Sequence, residues 1–188
     1  HTGGYTGHRG TGWPSFYLEE HTSYGVVMQM VLTSLVCSGM FAQVPGLKVV
    51  LPATPYDAKG LMIQAIRDDD PVIFFEHKAL YDLAGPVPEE SYALPFGEAN
   101  VVREGADVTI VALGRMVHTS LEAAQQLAAD GVECEVVDLR TTSPLDEDTV
   151  LESVEGTGRL VVVDEANPRC SVATDISALA ARKAFGSL

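Results

Sequence analysis

GLKVVLPATPYDAKG (residues 46–60) runs directly into LMIQAIRDDDPVIFFE (residues 61–76), and this stretch predicts a strand, a helix, an acidic turn and a second strand. The first strand is mostly apolar and β-branched, as buried parallel strands are. Thr54 supplies a hydroxyl that caps the helix, and Pro55 suits the first helical position, where no N–H is required. The apolar residues that recur at helical spacing are Ala58, Leu61, Met62, Ala65 and Ile66. This βαβ unit predicts a parallel sheet with helices on its faces.

The C-terminal half repeats the alternation of strand and helix. Strands are predicted at residues 108–113, 133–139 and 159–163, and helices at about 117–130, 146–154 and 171–185. This order predicts an open, mainly parallel sheet of the α/β class, to which residues 97–103 could add an edge strand. The first of these helices is expected to turn Leu121, Ala124, Gln125 and Ala128 inward, and Ser143-Pro144 is expected to open the second. Residues 76–100 contain three prolines and little periodicity, so they predict an extended linker between two domains.

Composition narrows the class of protein. The 188 residues carry a net charge of −14, which argues against nucleic acid or an anionic membrane as a partner. The acidity fits either a solvated surface or a basic protein partner. No apolar run reaches the roughly 18 residues of a membrane span. Cys37, Cys134 and Cys170 fit neither a disulfide framework nor a zinc site, so we expect buried or free thiols in a reducing cytoplasm.

The first 43 residues differ in composition from the rest. Their charged residues are only Arg9, Glu19 and Glu20, yet they hold three of the five His and three of the five Met. The chain also begins with His1, so we expect that the natural start is missing.

Three polar groups are candidates for a site, and two of them lie at the carboxyl ends of strands, beyond which ligands of such sheets bind. The acidic run Asp68–Asp70 follows a helix end, where carbonyls also gather, and it fits either a hard cation or a plain acidic turn. Glu76-His77 ends a strand and is either catalytic or ordinary surface. Arg140 also ends a strand, and it either binds a carboxylate or pairs with Asp138 or Asp146.

His118, at a helix start, is expected to be solvated. The sequence contains no Ser-His-Asp set, zinc spacing or Walker loop. These residues alone therefore predict a two-domain, acidic α/β protein and name no reaction.

Four segments carry a resemblance to a known family: PGLKVVLPATPYDAKGLMIQAIRDDDPVIFFEHKALYD (45–82), PFGEANVVREGADVTIVALGRMVH (95–118), VDLRTTSPLD (137–146) and VVVDEANPRCSVATDI (161–176). The chain resembles the beta subunit of the thiamine-diphosphate-dependent first enzyme of 2-oxo acid dehydrogenase complexes. Its sequence is most similar to acetoin dehydrogenase beta subunits, and pyruvate dehydrogenase beta subunits are the next most similar. Residues 1–38 do not share the resemblance.

The resemblance implies the fold and the activity. Residues 1–92 would be a partial pyrimidine-binding α/β domain with 1–43 aberrant, and residues 93–188 a transketolase C-terminal-type domain truncated at its end. The whole enzyme would cleave a C–C bond oxidatively and pass the acyl group to lipoamide. It would be an α2β2 heterotetramer whose alpha subunit binds the diphosphate and Mg²⁺. A basic segment of the lipoyl acyltransferase core would dock on the acidic beta subunit.

The resemblance also implies site residues. A potassium-type structural cation carries over to Ala65, Ile66, Asp68 and Asp70. No catalytic residue carries over: the glutamate that activates the aminopyrimidine lies upstream in the family, and the family histidine falls on Thr33, for which His21 is a weak substitute. The cofactor-binding residues stay unknown. The alternative function is a non-catalytic assembly module that binds the alpha subunit or the acyltransferase core.

Overall fold

The computed structural model describes residues 43–166 and 171–188, and Leu47–Leu188 form one compact unit. The strands of this unit are β1 (Lys48–Val50), β2 (Val72–Phe74), β3 (Asn100–Arg103), β4 (Val108–Ala112), β5 (Cys134–Asp138), β6 (Thr141–Ser143) and β7 (Leu160–Val163). Its α-helices are α1 (Pro55–Arg67), α2 (Arg115–Ala129), α3 (Glu147–Thr157) and α4 (Val172–Lys183), and Lys78–Leu80 form a 3₁₀ turn.

The predicted βαβ unit is confirmed. β1 and β2 pair in parallel, with Lys48 opposite Val72 and Val50 opposite Phe74. Helix α1 starts at Pro55 as expected, and the Thr54 hydroxyl accepts a hydrogen bond from the Asp57 N–H at 3.1 Å. The local signals for capping and for buried strands therefore agree with the tertiary structure of this unit.

The apolar residues that recur at helical spacing in α1 are only partly buried. Leu61 is buried, but Met62 and Ile66 are 36% and 76% exposed. The other buried residues of the helix are Asp57 and Gly60. The apolar spacing does not identify the whole buried face, because this helix also buries a charged residue and a glycine, and an apolar pattern includes neither of them.

Residues 76–100 are not a free linker, because part of the segment is held along α1. The Tyr92 ring stacks on Tyr56 with ring centroids 4.5 Å apart, and its hydroxyl donates to the Tyr56 carbonyl at 2.8 Å. The Leu94 N–H donates to the Gly60 carbonyl at 3.2 Å. Gly60 permits this approach, because a Cβ there would lie 2.6 Å from Leu94 Cγ. The segment is thus fixed along α1.

The second sheet confirms the open, mainly parallel architecture. Its strand order is β3-β5-β4-β7, with β4 parallel to both β5 and β7. Strand β3 pairs antiparallel with β5 at the edge, where residues 97–103 were expected to add a strand. The core is apolar and is built from strands and helices together; among its fully buried members are Val111, Val137, Leu139, Val150, Val154 and Ile176. In α2 the prediction for Gln125 is wrong: Gln125 is exposed, and Val117, Ser120 and Ala124 are buried.

Strand β6 was not predicted. Thr141–Ser143 leave the second sheet and pair antiparallel with β1, so that the first sheet has the order β2-β1-β6. The Ser143 hydroxyl also donates to the Leu47 carbonyl at 2.9 Å. Helix α3 begins at Glu147 with Asp146 as its cap, one residue after its predicted start, and Ser143-Pro144 precedes the helix without opening it. The segment 141–143 ties the two sheets of the unit together.

In the part of the chain that the structure describes, no helix is both long enough and apolar enough to cross a membrane.

Candidate functional site

The carboxyl ends of strands from both sheets meet around one cavity. Strands β1, β2, β4 and β7 all end at this place, which is where ligands bind in open α/β sheets. The cavity has a volume of about 190 Å³ and is lined by Leu51, Pro52, Phe75, Glu76, His77, Leu113, Gly114, Arg115, Met116, Asp164 and Glu165.

A second cavity adjoins the first on the α1 side. It has a volume of about 230 Å³ and is lined by Pro52, Ala53, Thr54, Pro55, Ala58, Phe74, Glu76, His77, Leu80, Tyr81 and Leu83. The two cavities share Pro52, Glu76 and His77. We call these two adjoining cavities the carboxyl-end groove.

The structure brings Glu76 and His77 to the centre of this groove. His77 Nδ1 accepts a hydrogen bond from the Ala79 N–H at 3.2 Å. The proton of the neutral ring is therefore on Nε2, which lies 2.8 Å from Glu165 Oε2. The Tyr81 hydroxyl donates to Glu76 Oε2 at 3.0 Å. This hydrogen bond to the Glu76 carboxylate raises the pKa of Tyr81.

Arg140 has a different side-chain partner from those predicted. Its Nη2 lies 2.7 Å from Asp57 Oδ1, in a pair whose side chains are 12% and 3% exposed. Its backbone has a φ of 56°, in the left-handed region that side chains rarely adopt. In this conformation its N–H donates to Asp138 Oδ1 at 3.0 Å and its carbonyl accepts from the Leu51 N–H at 2.8 Å. The prediction of Asp146 as a partner is wrong, because Asp146 caps α3 by accepting from the Thr149 N–H at 3.0 Å.

Asp138 is a buried acid next to this ion pair. Its side chain is fully buried, and no partner for its Oδ2 occurs among the described residues. Burial raises the pKa of Asp138 to about 7, against the opposing hydrogen bond from the Arg140 N–H. The nearby Asp57 carboxylate raises this pKa further. Asp57, Arg140 and Asp138 form a cluster that the sequence did not predict as a unit, and we call it the buried charge cluster.

His118 is not solvated as predicted. Its Nε2 lies 2.8 Å from the Ala53 carbonyl, and its side chain is half-buried. It therefore connects the start of α2 to the loop after β1, which forms one wall of the groove.

The acidic turn after α1 contains a cation supplied by the protein. Lys48 Nζ lies 2.8 Å from Asp70 Oδ2 and 3.8 Å from Asp68 Oδ1. The hydrogen bond to Asp70 raises the pKa of Lys48. Asp68 Oδ1 also accepts from the Asp70 N–H at 3.0 Å. Within residues 43–166 and 171–188 no three His, Cys, Asp or Glu side chains are grouped as a metal centre.

Several predicted residues lie outside the described part of the chain: Thr33, His21, Cys37 and Cys170. Cys134, which is described, is a buried free thiol on β5.

Two family models match successive parts of the chain. Residues 33–83 match the transketolase pyrimidine-binding domain, and residues 97–188 match the transketolase C-terminal domain. The fold is therefore transketolase-like α/β.

Individual relatives identify the family more narrowly than the domain matches do. The chain is 70% identical over 149 residues to the acetoin:2,6-dichlorophenolindophenol oxidoreductase subunit beta of Cupriavidus necator. The matched region covers 79% of this chain and 44% of that protein. It is 56% identical to the pyruvate dehydrogenase E1 component subunit beta of Bacillus subtilis, over 74% of this chain and 43% of the relative. Among solved structures, a split-gene transketolase described as an inactive beta4 tetramer matches with a TM-score of 0.64 and 28% identity, over 73% of this chain and 45% of that one.

The chain thus spans less than half the length of the curated relatives it matches. Its four resembling segments, both domain matches and its relatives all point to one group of proteins. The chain belongs to the family of beta subunits of the thiamine-diphosphate-dependent dehydrogenases that act on acetoin and 2-oxo acids.

Proposed function

We propose that the chain is part of the beta subunit of a thiamine-diphosphate-dependent acetoin or pyruvate dehydrogenase. The reaction is oxidative C–C cleavage with transfer of the acyl group to lipoamide. The observation that carries this proposal is the 70% identity over 149 residues to an acetoin oxidoreductase beta subunit. That identity exceeds the 56% found with a pyruvate dehydrogenase beta subunit, which favours acetoin as the substrate.

Thiamine diphosphate supplies the carbanion chemistry when it is bound. In the family, the glutamate that activates it lies upstream of the matching part. Glu76, the carboxylate at the centre of the groove, already accepts from the Tyr81 hydroxyl. We therefore assign the chain a supporting role, in which it forms walls of the site and contacts other subunits, and the Mg²⁺ and diphosphate belong to the alpha subunit.

The partners that we propose are an alpha subunit and a second beta subunit in an α2β2 enzyme, together with a basic segment of the acyltransferase core. The net charge of −14 supports the basic partner. We place the protein in the cytoplasm, in keeping with its bacterial relatives and the free buried thiol of Cys134. We also divide the chain into domains at residues 1–92 and 93–188. A non-catalytic assembly module that binds the alpha subunit or the acyltransferase core is the second candidate, which the net charge of −14 also supports.

A chimeric subunit tests the activity. Residues 47–188 replace the matching segment of the Cupriavidus necator beta subunit, which is then produced with its own alpha subunit. We expect the chimera to reduce 2,6-dichlorophenolindophenol with acetoin in a manner that depends on thiamine diphosphate. Elution of the complex at the size of the parent enzyme is the control for assembly. A complex that assembles and binds cofactor without turnover would support the module instead.

We also propose a potassium-type cation at the end of α1, bound by the carbonyls of Ala65 and Ile66 with the Asp68 and Asp70 carboxylates. The support is that the last carbonyls of a helix have no intrahelical partner and that both carboxylates follow directly. The Lys48 ammonium already neutralises part of this charge, so the ion is expected to bind weakly.

The cation is tested by thermal unfolding at equal ionic strength in potassium chloride and in choline chloride. We expect a higher Tm in potassium, because an ion that binds only the folded state stabilises it. Asp68→Asn should reduce this difference, and Asp69→Asn, at an exposed position outside the set, should preserve it. Equal Tm values of the wild-type protein in the two salts would exclude the site.

A further inference from the structure

The buried charge cluster contains two carboxylates and one guanidinium. Asp57 and Asp138 are both buried, and Arg140 supplies the positive charge, with its Nη2 at 2.7 Å from Asp57 Oδ1. A buried carboxylate that is ionised and unpaired costs free energy, and one guanidinium cannot fully compensate two of them. The two acids therefore compete for Arg140 whenever both are charged.

Three polar atoms of the cluster have unused hydrogen-bonding capacity. Within the described part of the chain, Asp57 Oδ1, Asp138 Oδ2 and Arg140 Nε are buried and have no hydrogen bond. The contact between Arg140 Nη2 and Asp57 Oδ1 is thus short but poorly aligned. The Nε–H group is a donor and a carboxylate oxygen is an acceptor. Arg140 and Asp138 therefore carry complementary groups that are not paired in this structure.

The proton on Asp138 decides whether these two groups can pair. Asp138 Oδ1 accepts from the Arg140 N–H at 3.0 Å, so the proton of the neutral acid is on Oδ2. When that proton leaves, Oδ2 becomes an anionic acceptor for the guanidinium. Burial raises the pKa of Asp138 to about 7, which places the change near neutral pH.

The backbone of Arg140 keeps its side chain beside both acids. The N–H of Arg140 donates to Asp138, and its carbonyl accepts from the Leu51 N–H at 2.8 Å. Rotation of the side chain is therefore enough to change its partner. Asp57 lies in the first turn of α1, and its other oxygen accepts from the Thr54 hydroxyl. The guanidinium is thus the ionic link between the turn after β5 and the start of α1.

We propose that the buried charge cluster is a proton-linked switch, in which loss of the Asp138 proton moves the Arg140 guanidinium from Asp57 to Asp138 and releases the start of α1. The O–H bond of Asp138 breaks, and its proton passes to the solvent. Asp57 then keeps its charge without the guanidinium, so the first turn of α1 opens more often. Residues 51–54 precede this turn and line the carboxyl-end groove, so the switch acts on the wall of the groove. It does not rest on the proposed function.

The neighbours of Asp138 leave this acid as the titrating group of the cluster. In the adjacent strands it lies opposite Asn100 of β3 and Ala112 of β4, neither of which titrates. The charged groups that act on it are Asp57 of α1 and Arg140 of the turn after β5.

His118 of α2 is the other titratable side chain that contacts the loop before α1. Its Nε2 lies 2.8 Å from the Ala53 carbonyl. Protonation of His118 is therefore the competing explanation for a pH response at this loop, and the experiment has to separate the two residues.

NMR of the 188-residue chain between pH 5 and pH 9 follows the exchange of partners. The carboxyl carbon of Asp138 reports the loss of its proton, and the Nε–H signal of Arg140 reports the new hydrogen bond. We expect both signals to shift with one midpoint near pH 7. The carboxyl carbon of Asp57 should show no protonation step in this range, because Asp57 stays ionised.

Amide hydrogen exchange measures the release of α1. The Ala58 N–H donates to the Thr54 carbonyl in the first turn of this helix. Its exchange, corrected for the intrinsic rate at each pH, should become about tenfold faster between pH 6 and pH 8. The Thr149 N–H, which donates to the cap residue Asp146 at the start of α3, is the reference and should keep its corrected rate.

Two variants assign the response to Asp138. Asp138→Asn keeps the size of the side chain and stays neutral, so the Arg140 Nε–H signal and the Ala58 exchange should lose their pH dependence. His118→Gln removes the other titratable group and should preserve both responses. A cooperative thermal transition of each variant at pH 6 confirms that it folds.

The wild-type titration alone is able to overturn the switch: an Arg140 Nε–H signal that does not follow the Asp138 titration would do so. A pH response that persists in Asp138→Asn, or one that disappears in His118→Gln, would contradict it equally. These measurements use the chain without cofactor or partner subunit. Their outcome is therefore independent of turnover by the chimera, which tests the proposed function.

Discussion

Replacing Arg140 by Leu is expected to destabilise the protein by about 3–5 kcal/mol, the range found when one partner of a buried ion pair is removed. The cost arises because Asp57, which is 3% exposed, loses the guanidinium 2.7 Å away and keeps its charge in the interior. The positive φ of 56° adds a further constraint at this position, which the substitution does not relieve. The measurement is urea unfolding at pH 7, with the free energy extrapolated to water.

A surface pair of the same type is the control for this variant. Lys183 and Glu147 lie 2.6 Å apart, but their side chains are 53% and 44% exposed. Lys183→Met should cost less than about 1 kcal/mol, because water screens exposed pairs. The double variant Asp57→Asn with Arg140→Leu should recover part of the loss, since it leaves no unpaired charge on Asp57. Equal costs for Arg140→Leu and Lys183→Met would contradict the assignment of the buried charge cluster.

Asp138→Asn is expected to stabilise the protein at pH 8 and to remove a pH dependence. Burial raises the pKa of Asp138 from 3.8 to about 7. At about 1.4 kcal/mol for each pKa unit, ionising this group in the folded state costs on the order of 4 kcal/mol. Asn has nearly the same shape, stays neutral and keeps an oxygen that accepts from the Arg140 N–H.

The sign of the effect follows from proton binding. Between pH 3.8 and about 7 the folded state holds a proton on Asp138 that the unfolded state has released, so the contribution of this group to stability falls as pH rises through that window. Below pH 3.8 the contribution of Asp138 to stability is fully present, and above about pH 7 it is completely lost. The difference in unfolding free energy between the variant and the wild type should therefore grow from near zero at pH 4 to its full value at pH 8. A difference independent of pH would show that Asp138 ionises normally.

Local signals in the sequence predicted local structure well. The cap at Thr54 and the proline at position 55 placed the start of α1, and the β-branched runs placed β1 and β2. These features depend on neighbours along the chain, which the sequence displays directly. The mainly parallel second sheet followed from the alternation of strands and helices, which leaves few other topologies.

Contacts between distant segments were not predictable in the same way. Arg140 pairs with Asp57, 83 positions earlier in the chain, and no spacing rule relates them. Strand β6 is only three residues long and is specified by pairing with β1 rather than by its own pattern. The candidate site was likewise only partly predictable from the sequence. Glu76-His77 was recognised at a strand end, but the contact of His77 with Glu165 depends on the meeting of the two sheets.

Turnover of the chimeric beta subunit tests the central claim, that this chain is part of an acetoin-type dehydrogenase beta subunit, most directly. The measurement is the rate of dye reduction with acetoin and with pyruvate, by a complex of confirmed size, before and after addition of thiamine diphosphate. We expect cofactor-dependent turnover that is faster with acetoin than with pyruvate. A complex of the correct size that binds the cofactor and reduces no dye with either substrate would contradict it.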